Sequence, residues 1–144
     1  IQEEGLVANA EERGRELLQG LSALQQQHPM VKEVRGRGLL VGIEFEPPLK
    51  GMAARLAGKA AGVIQEFGAS LVASELLEEY RILTAYTLNN PNVIRMEPPL
   101  VVRQEQIQRT VNAVAAVLAK HHSYASLAAG SARSLLSLRR RKPD

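Results

Sequence analysis

Residues 81–99 read Arg-Ile-Leu-Thr-Ala-Tyr-Thr-Leu-Asn-Asn-Pro-Asn-Val-Ile-Arg-Met-Glu-Pro-Pro. Two β-prone runs, Arg81–Leu88 and Val93–Glu97, flank an Asn89-Asn90-Pro91-Asn92 turn signal, and this spacing predicts an antiparallel hairpin. Pro98-Pro99 ends its second strand, because proline donates no hydrogen bond to a strand ladder. On that strand Ile94 and Met96 point one way, and Arg95 and Glu97 the other.

Working outward, Gln104–Lys120 carries Ile107, Val111, Val114, Val117 and Leu118 at helical spacing, though Arg103 is a poor N-cap. Before the hairpin, residues 51–80 are Ala-rich and helical in pattern. Met52 and Leu56 begin one stripe; Val63, Phe67, Leu71, Ser74 and Leu77 form a second. Gly58, Gly62 and Gly68 predict two helices or one broken helix. Further upstream, Leu39, Val41, Ile43 and Phe45 alternate with Leu40, Gly42 and Glu44, a half-buried strand that Glu46-Pro47-Pro48 ends. Gly36 and Gly38 before it suggest a tight turn or bulge. At the front, residues 4–27 place Leu6, Val7, Ala10, Leu17, Leu18, Leu21 and Leu24 on one stripe, which His28-Pro29 stops.

Helix, strand, helices, hairpin, helix is the order of an α+β unit: a small antiparallel sheet with helices packed on one face. If the helices cover Ile94 and Met96, the face carrying Arg95 is left for another domain or subunit.

Composition narrows the function classes. The 144 residues hold 18 Lys+Arg and 15 Asp+Glu, with no Cys, and the sole Asp is Asp144. Disulfides and thiolate sites are thereby excluded, and no apolar run reaches the roughly 18 residues of a membrane span. The excess positive charge lies in the tail at Arg133, Arg139, Arg140, Arg141 and Lys142, while residues 1–120 are near neutral. Aromatics make up 3% and do not interleave with the basic residues, which argues against nucleic-acid binding. The tail, 121–144, is expected to be a solvated extension without fixed order. Leu127, Leu135 and Leu138 ahead of its basic cluster offer a weak amphipathic helix as the alternative. The start at Ile1, without Met, suggests a cut inside a longer chain.

Most candidate chemistry is weak. Gly36-x-Gly38 lacks the third glycine and following helix of a dinucleotide cradle. Adjacent His121-His122 diverge on a helix and read as a solvated helix end, with no metal site. No serine sits in a nucleophile elbow, and Glu44, Glu46 and Glu97 read as surface carboxylates. Arg95 stands apart: a guanidinium on a rigid strand can grip a carboxylate with two parallel hydrogen bonds.

Two strings stand out: Val34-Arg35-Gly36-Arg37-Gly38-Leu39-Leu40 before a strand, and Asn92-Val93-Ile94-Arg95-Met96-Glu97-Pro98-Pro99-Leu100 before the final helix. Together they resemble the C-terminal small domain of class III (ornithine-type) pyridoxal-phosphate-dependent aminotransferases. The opening Gly5-Leu6-x-x-Asn9-Ala10-x-x-x-Gly14 is similar to the helix leading out of that family's large domain. Thr87-Leu88-Asn89-Asn90 ahead of the Arg95 motif resembles the putrescine (diamine) branch.

The resemblance implies the small domain (residues 1–120) of a fold-type I enzyme, packed on its own large domain in a homodimer or higher oligomer. It implies amino transfer from a diamine such as putrescine to 2-oxoglutarate, with Arg95 binding the substrate carboxylate. Ornithine, acetylornithine and 4-aminobutyrate aminotransferases are the alternatives within the family; a stand-alone interaction module is the alternative outside it. Pyridoxal phosphate needs a Schiff-base Lys and an acidic partner. Lys32, Lys50, Lys59, Lys120 and Lys142 match no such motif, so the resemblance implies catalytic and cofactor-binding residues outside this chain. The chain alone is then expected to be inactive and free of cofactor. A cytoplasmic location fits the absence of Cys.

Overall fold

The computed structural model describes residues 5–46, 59–86 and 89–121, with side chains omitted over 59–68. The elements are α1 (Leu6–Gln27), β1 (Val31–Arg37), β2 (Leu40–Phe45), α2 (Lys59–Tyr80), β3 (Ala85–Tyr86), β4 (Val93–Met96) and α3 (Gln104–Lys120). The expected stripe at Met52 and Leu56, the side chains of Val63 and Phe67 from the second stripe, and the tail from His122 lie outside what is described.

The four strands form one antiparallel sheet in the order β1-β2-β4-β3. All three described helices lie on the side of Val41, Ile43, Ile94 and Met96, each of these residues no more than 4% exposed. This is the expected α+β unit with one strand more than the sequence suggested. Val31–Arg37 pairs with β2 through a two-residue turn at Gly38-Leu39, so Gly36 lies inside a strand and Gly38 makes the turn. Gly38 holds φ at +53°, where a side chain would be strained.

Helix α1 buries Arg13, Gly14, Leu17, Leu21 and Leu24. It packs on β1 and β2 and on α3, while α2 packs on α3 and β4. At Gly14 its backbone approaches the β1–β2 turn so closely that an added Cβ would land on the Gly38 carbonyl. Asn9 makes a second tie: its Nδ2 donates to the carbonyls of Leu100 at 2.7 Å and Val102 at 3.0 Å. Helix α3 turns Ile107, Val114, Val117 and Leu118 inward as its spacing predicts. An arginine side chain has only donors to offer, so at its start the Gln106 Oε1 instead accepts the Arg103 N–H at 2.9 Å.

Helix α2 differs from expectation in two ways. It runs unbroken through Gly62 and Gly68, and its buried stripe is Ala69, Val72, Ala73 and Leu76 rather than Leu71, Ser74 and Leu77. Apolar and small residues are spread around this helix rather than gathered on one side, which gives periodicity little to choose between. Leu71 still packs against the core edge, whereas Leu77 is 44% exposed.

The helix ends at Arg81, whose φ of +58° is the sole positive value at a non-glycine among the described residues. There the Arg81 N–H reaches the Leu77 carbonyl and the Ile82 N–H the Leu76 carbonyl. The left-handed conformation costs a side-chain-bearing residue about 1 kcal/mol that glycine avoids. Arg81→Gly should therefore raise unfolding stability by about 1 kcal/mol in urea titrations; a loss of stability would show that the Arg81 side chain holds the cap.

Candidate functional site

The helix-free face of the sheet is built by register. Arg35 on β1, Gly42 on β2, Arg95 on β4 and Ala85 on β3 stand side by side across the four strands. With strands about 5 Å apart, two guanidinium-bearing positions lie about 10 Å apart on either side of a residue without a side chain. Arg95 sits on an inner strand, hydrogen-bonded on both edges, with Ile94 and Met96 anchored in the core beneath it. Among the described residues no helix packs on the side of the sheet that carries Arg95, and the Arg95 side chain is 44% exposed.

Arg95 and Arg35 are held differently. Arg35 Nη1 donates to Glu33 Oε2 and Glu44 Oε2, both at 2.7 Å. Lys32 Nζ donates to Glu44 Oε1 at 2.6 Å. Glu44 is thus 8% exposed and roofed by two cations, and is no surface carboxylate as the sequence suggested. Hydrogen bonds from Lys32 first and Arg35 second hold its carboxyl below the usual range, against a smaller opposing effect of burial. Arg95, by contrast, has as its acidic partner among the described residues Glu97 alone, at 3.4 Å from Nε, with both side chains nearly half exposed. Such a pair is weak. Among the described residues the Arg95 fork has no closer partner, whereas the Arg35 fork is held by two carboxylates.

A second charged cluster ties α2 to the end of α3. Lys120 Nζ donates to Glu75 Oε1 at 2.6 Å and Glu79 Oε1 at 2.7 Å, and His121 Nε2 lies 2.7 Å from Glu75 Oε2. His121 is 4% exposed, which corrects its reading as a solvated helix end. The side chain folds back onto α2, its ring beside the nearly buried carboxylate of Glu75.

These contacts decide whether the described residues suit an aldehyde cofactor held as a Schiff base. That bond needs an amine able to shed its proton. Lys32 and Lys120, the lysines whose side chains are described, are held as ammonium ions, their pKa values pushed up by the hydrogen bonds they donate to Glu44 and to Glu75 and Glu79 respectively. No aspartate stands among the described residues to partner a pyridinium nitrogen. The described part of the chain does not fit such a cofactor. Nor does any group of three or more potential metal ligands come together among the described residues. No described helix is long and apolar enough to cross a membrane.

Asn9 and Gly14 were visible in the sequence only as parts of a motif, and their work is now clear: both fasten α1 to the sheet and to the stretch following β4. Spacing gave no sign of the Lys32–Glu44–Arg35 cluster, because its members meet only once β1 is paired.

Comparison with known proteins bears on this geometry. The sequence model of the family described as aminotransferase class-III matches residues 1–118. Acetylornithine aminotransferase from Elizabethkingia anophelis superposes with a TM-score of 0.66 at 24% identity, over 84% of this chain and 27% of that one. Ornithine aminotransferase from Plasmodium yoelii gives 0.61 at 24% identity, over 81% of this chain and 25% of that one. A transaminase with L-alanine gives 0.60 at 29% identity, over 82% of this chain and 25% of that one. The chain spans about a quarter of the length of the solved structures it matches.

Proposed function

Because the chain belongs to the class-III aminotransferase family, a family of transferases, we propose that it is the C-terminal small domain of a pyridoxal-phosphate-dependent enzyme. That enzyme moves an amino group from a diamine such as putrescine to 2-oxoglutarate. The diamine reading rests on the Thr87-Leu88-Asn89-Asn90 segment before the Arg95 strand. The cofactor is held by residues outside this chain, in keeping with the pinned lysines. Its own large domain, and a second subunit, cover the sheet face opposite the helices.

In this reading Arg95 anchors the carboxylate of the oxo acid. The observation that carries it is a half-exposed guanidinium on an inner strand, whose one acidic partner among the described residues is Glu97, weak and long. Fixed from behind by Ile94 and Met96, it can orient a carboxylate before reaction, so binding energy becomes positioning.

The test is kinetic, in the full-length enzyme. Truncating one partner of a charged, hydrogen-bonded pair costs about 2–5 kcal/mol. Arg95→Gln should accordingly raise KM for 2-oxoglutarate by roughly 30-fold or more, with far less effect on KM for the amine. An unchanged KM for the oxo acid would remove Arg95 from the site.

A further inference from the structure

We propose that this unit holds a second binding site, an apolar pocket on the helix side of β4 that takes a small uncharged aromatic molecule. The site lies apart from the Arg95 side chain and does not depend on which amine or oxo acid the enzyme uses. Volume, lining and rigidity lead to it.

The pocket opens between the connection from α2 to β3 and the bend that follows β4, and its volume is about 210 Å³. An apolar cavity of about 150 Å³ already holds benzene, so this one has room for a single ring with a short substituent. Its floor is the core itself. Leu17 of α1, Met96 of β4, Ile107 of α3 and Val102 line it, each no more than 5% exposed.

The lining sets the chemistry. Its hydroxyl, on Thr110, already donates to the Gln106 carbonyl at 2.9 Å and asks nothing of a ligand. Glu97 stands at the border, its side chain nearly half exposed and its carboxylate turned to Arg95 Nε. No lining side chain carries a buried polar atom without a partner. A charged ligand would give up its water for walls that return no hydrogen bond, whereas an uncharged one loses little. The Met96 thioether favours a flat ring over an alkyl chain, because sulfur packs well against aromatic edges.

A void of this size shrinks if its walls can move. Here both rims are tied by hydrogen bonds. On one side the Ile82 N–H reaches the Leu76 carbonyl at 3.0 Å. On the other the Val102 N–H reaches the Pro99 carbonyl at 2.9 Å, and Asn9 holds the carbonyls of Leu100 and Val102. Pro98 and Pro99, which line the same rim, fix their own φ angles. The pocket is thus formed before a ligand arrives, which spares binding the cost of ordering it. Leu83, 81% exposed at the rim, is apolar surface that an occupant would help to cover.

The experiment titrates toluene into the full-length enzyme by saturation-transfer nuclear magnetic resonance and soaks bromobenzene into its crystals. Toluene should bind with a Kd of about 1 mM or tighter, as expected for a ligand of its size in a preformed pocket. Anomalous diffraction should place the bromine between Met96, Val102 and Ile107. Val102→Phe, which fills the pocket, should weaken toluene binding by about 10-fold or more. Should that variant not fold, Leu83→Asp puts a charge at the exposed rim instead and should weaken binding by roughly 3- to 10-fold. Thr110→Val should leave the affinity within about 2-fold, since the hydroxyl is already satisfied. Absence of binding at about 10 mM toluene, bromine at another place, or a side chain of the large domain seated in the pocket overturns the site. Tighter binding of benzylammonium than of toluene overturns the ligand class.

Discussion

Gly14→Ala should lower the unfolding free energy of the chain by about 3 kcal/mol or more, although helix propensity alone favours alanine by about 1 kcal/mol. The sign is decided by what the new methyl group meets. It would fall on the carbonyl of Gly38 and come within 2.7 Å of the Gly38 Cα, and both are backbone. A flexible side chain could swing away; a turn whose own residue sits at φ +53° has little room to yield. Helix α1 must then lift from β1 and β2, uncovering Leu17 and Leu21, each 1% exposed. Urea unfolding followed by far-ultraviolet circular dichroism measures the change. Gly42→Ala is the control, since its Cβ would find Val93 Cγ1 at an ordinary 3.6 Å and the sheet should lose little. If the two variants are equally stable, the close approach of helix and turn is not what holds α1 in place.

Phe45→Ala is the second large effect, at about 3–5 kcal/mol in the same titration. Phe45 is the largest of the fully buried side chains among the described residues, at 1% exposure. It ends β2 opposite Val31, and its N–H reaches the Asn92 carbonyl at 2.8 Å. Removing the ring leaves a hole where β1, β2 and the start of β4 meet, and backbone pairing on both sides prevents collapse into it. Leu83→Ala provides the contrast: at 81% exposure it should change stability by no more than about 0.5 kcal/mol. A small loss at Phe45 would mean that the region repacks freely.

Some of this architecture was legible in the residues alone. The β3–β4 pairing, the inward turn of Ile94 and Met96 and the buried stripe of α3 follow from period and punctuation, because each element pairs one apolar face with clear stops. Strand β1 did not follow. Its sequence, Val31-Lys32-Glu33-Val34-Arg35-Gly36-Arg37, shows two apolar residues. A register shift between Val31 and Glu33 also breaks the alternation that would have marked it. Charged edge strands of this kind resist pairing with other chains, and the feature that protects them also hides them from a hydrophobic pattern. Missing β1 meant missing the partners of Glu44, and hence its burial. At the site, the exposed face and its arginine could be read from residues 93–97. The difference between an engaged Arg35 and an open Arg95 could not, for it depends on which carboxylates the sheet brings within reach.

The strand order carries a consequence for how the chain acquires its shape. β1 and β2 are joined by a two-residue turn and α1 lies just upstream, so these three can associate as soon as they exist. The other edge of β2, however, finds its partner only in β4, some fifty residues later, and Asn9 waits for Leu100 and Val102, more than ninety residues away. Pairings so distant in sequence form slowly. Until β4 arrives, Val41, Ile43 and Phe45 border an open strand edge, and any shortened form of the chain that stops before residue 93 would keep that edge permanently unpaired and prone to self-association.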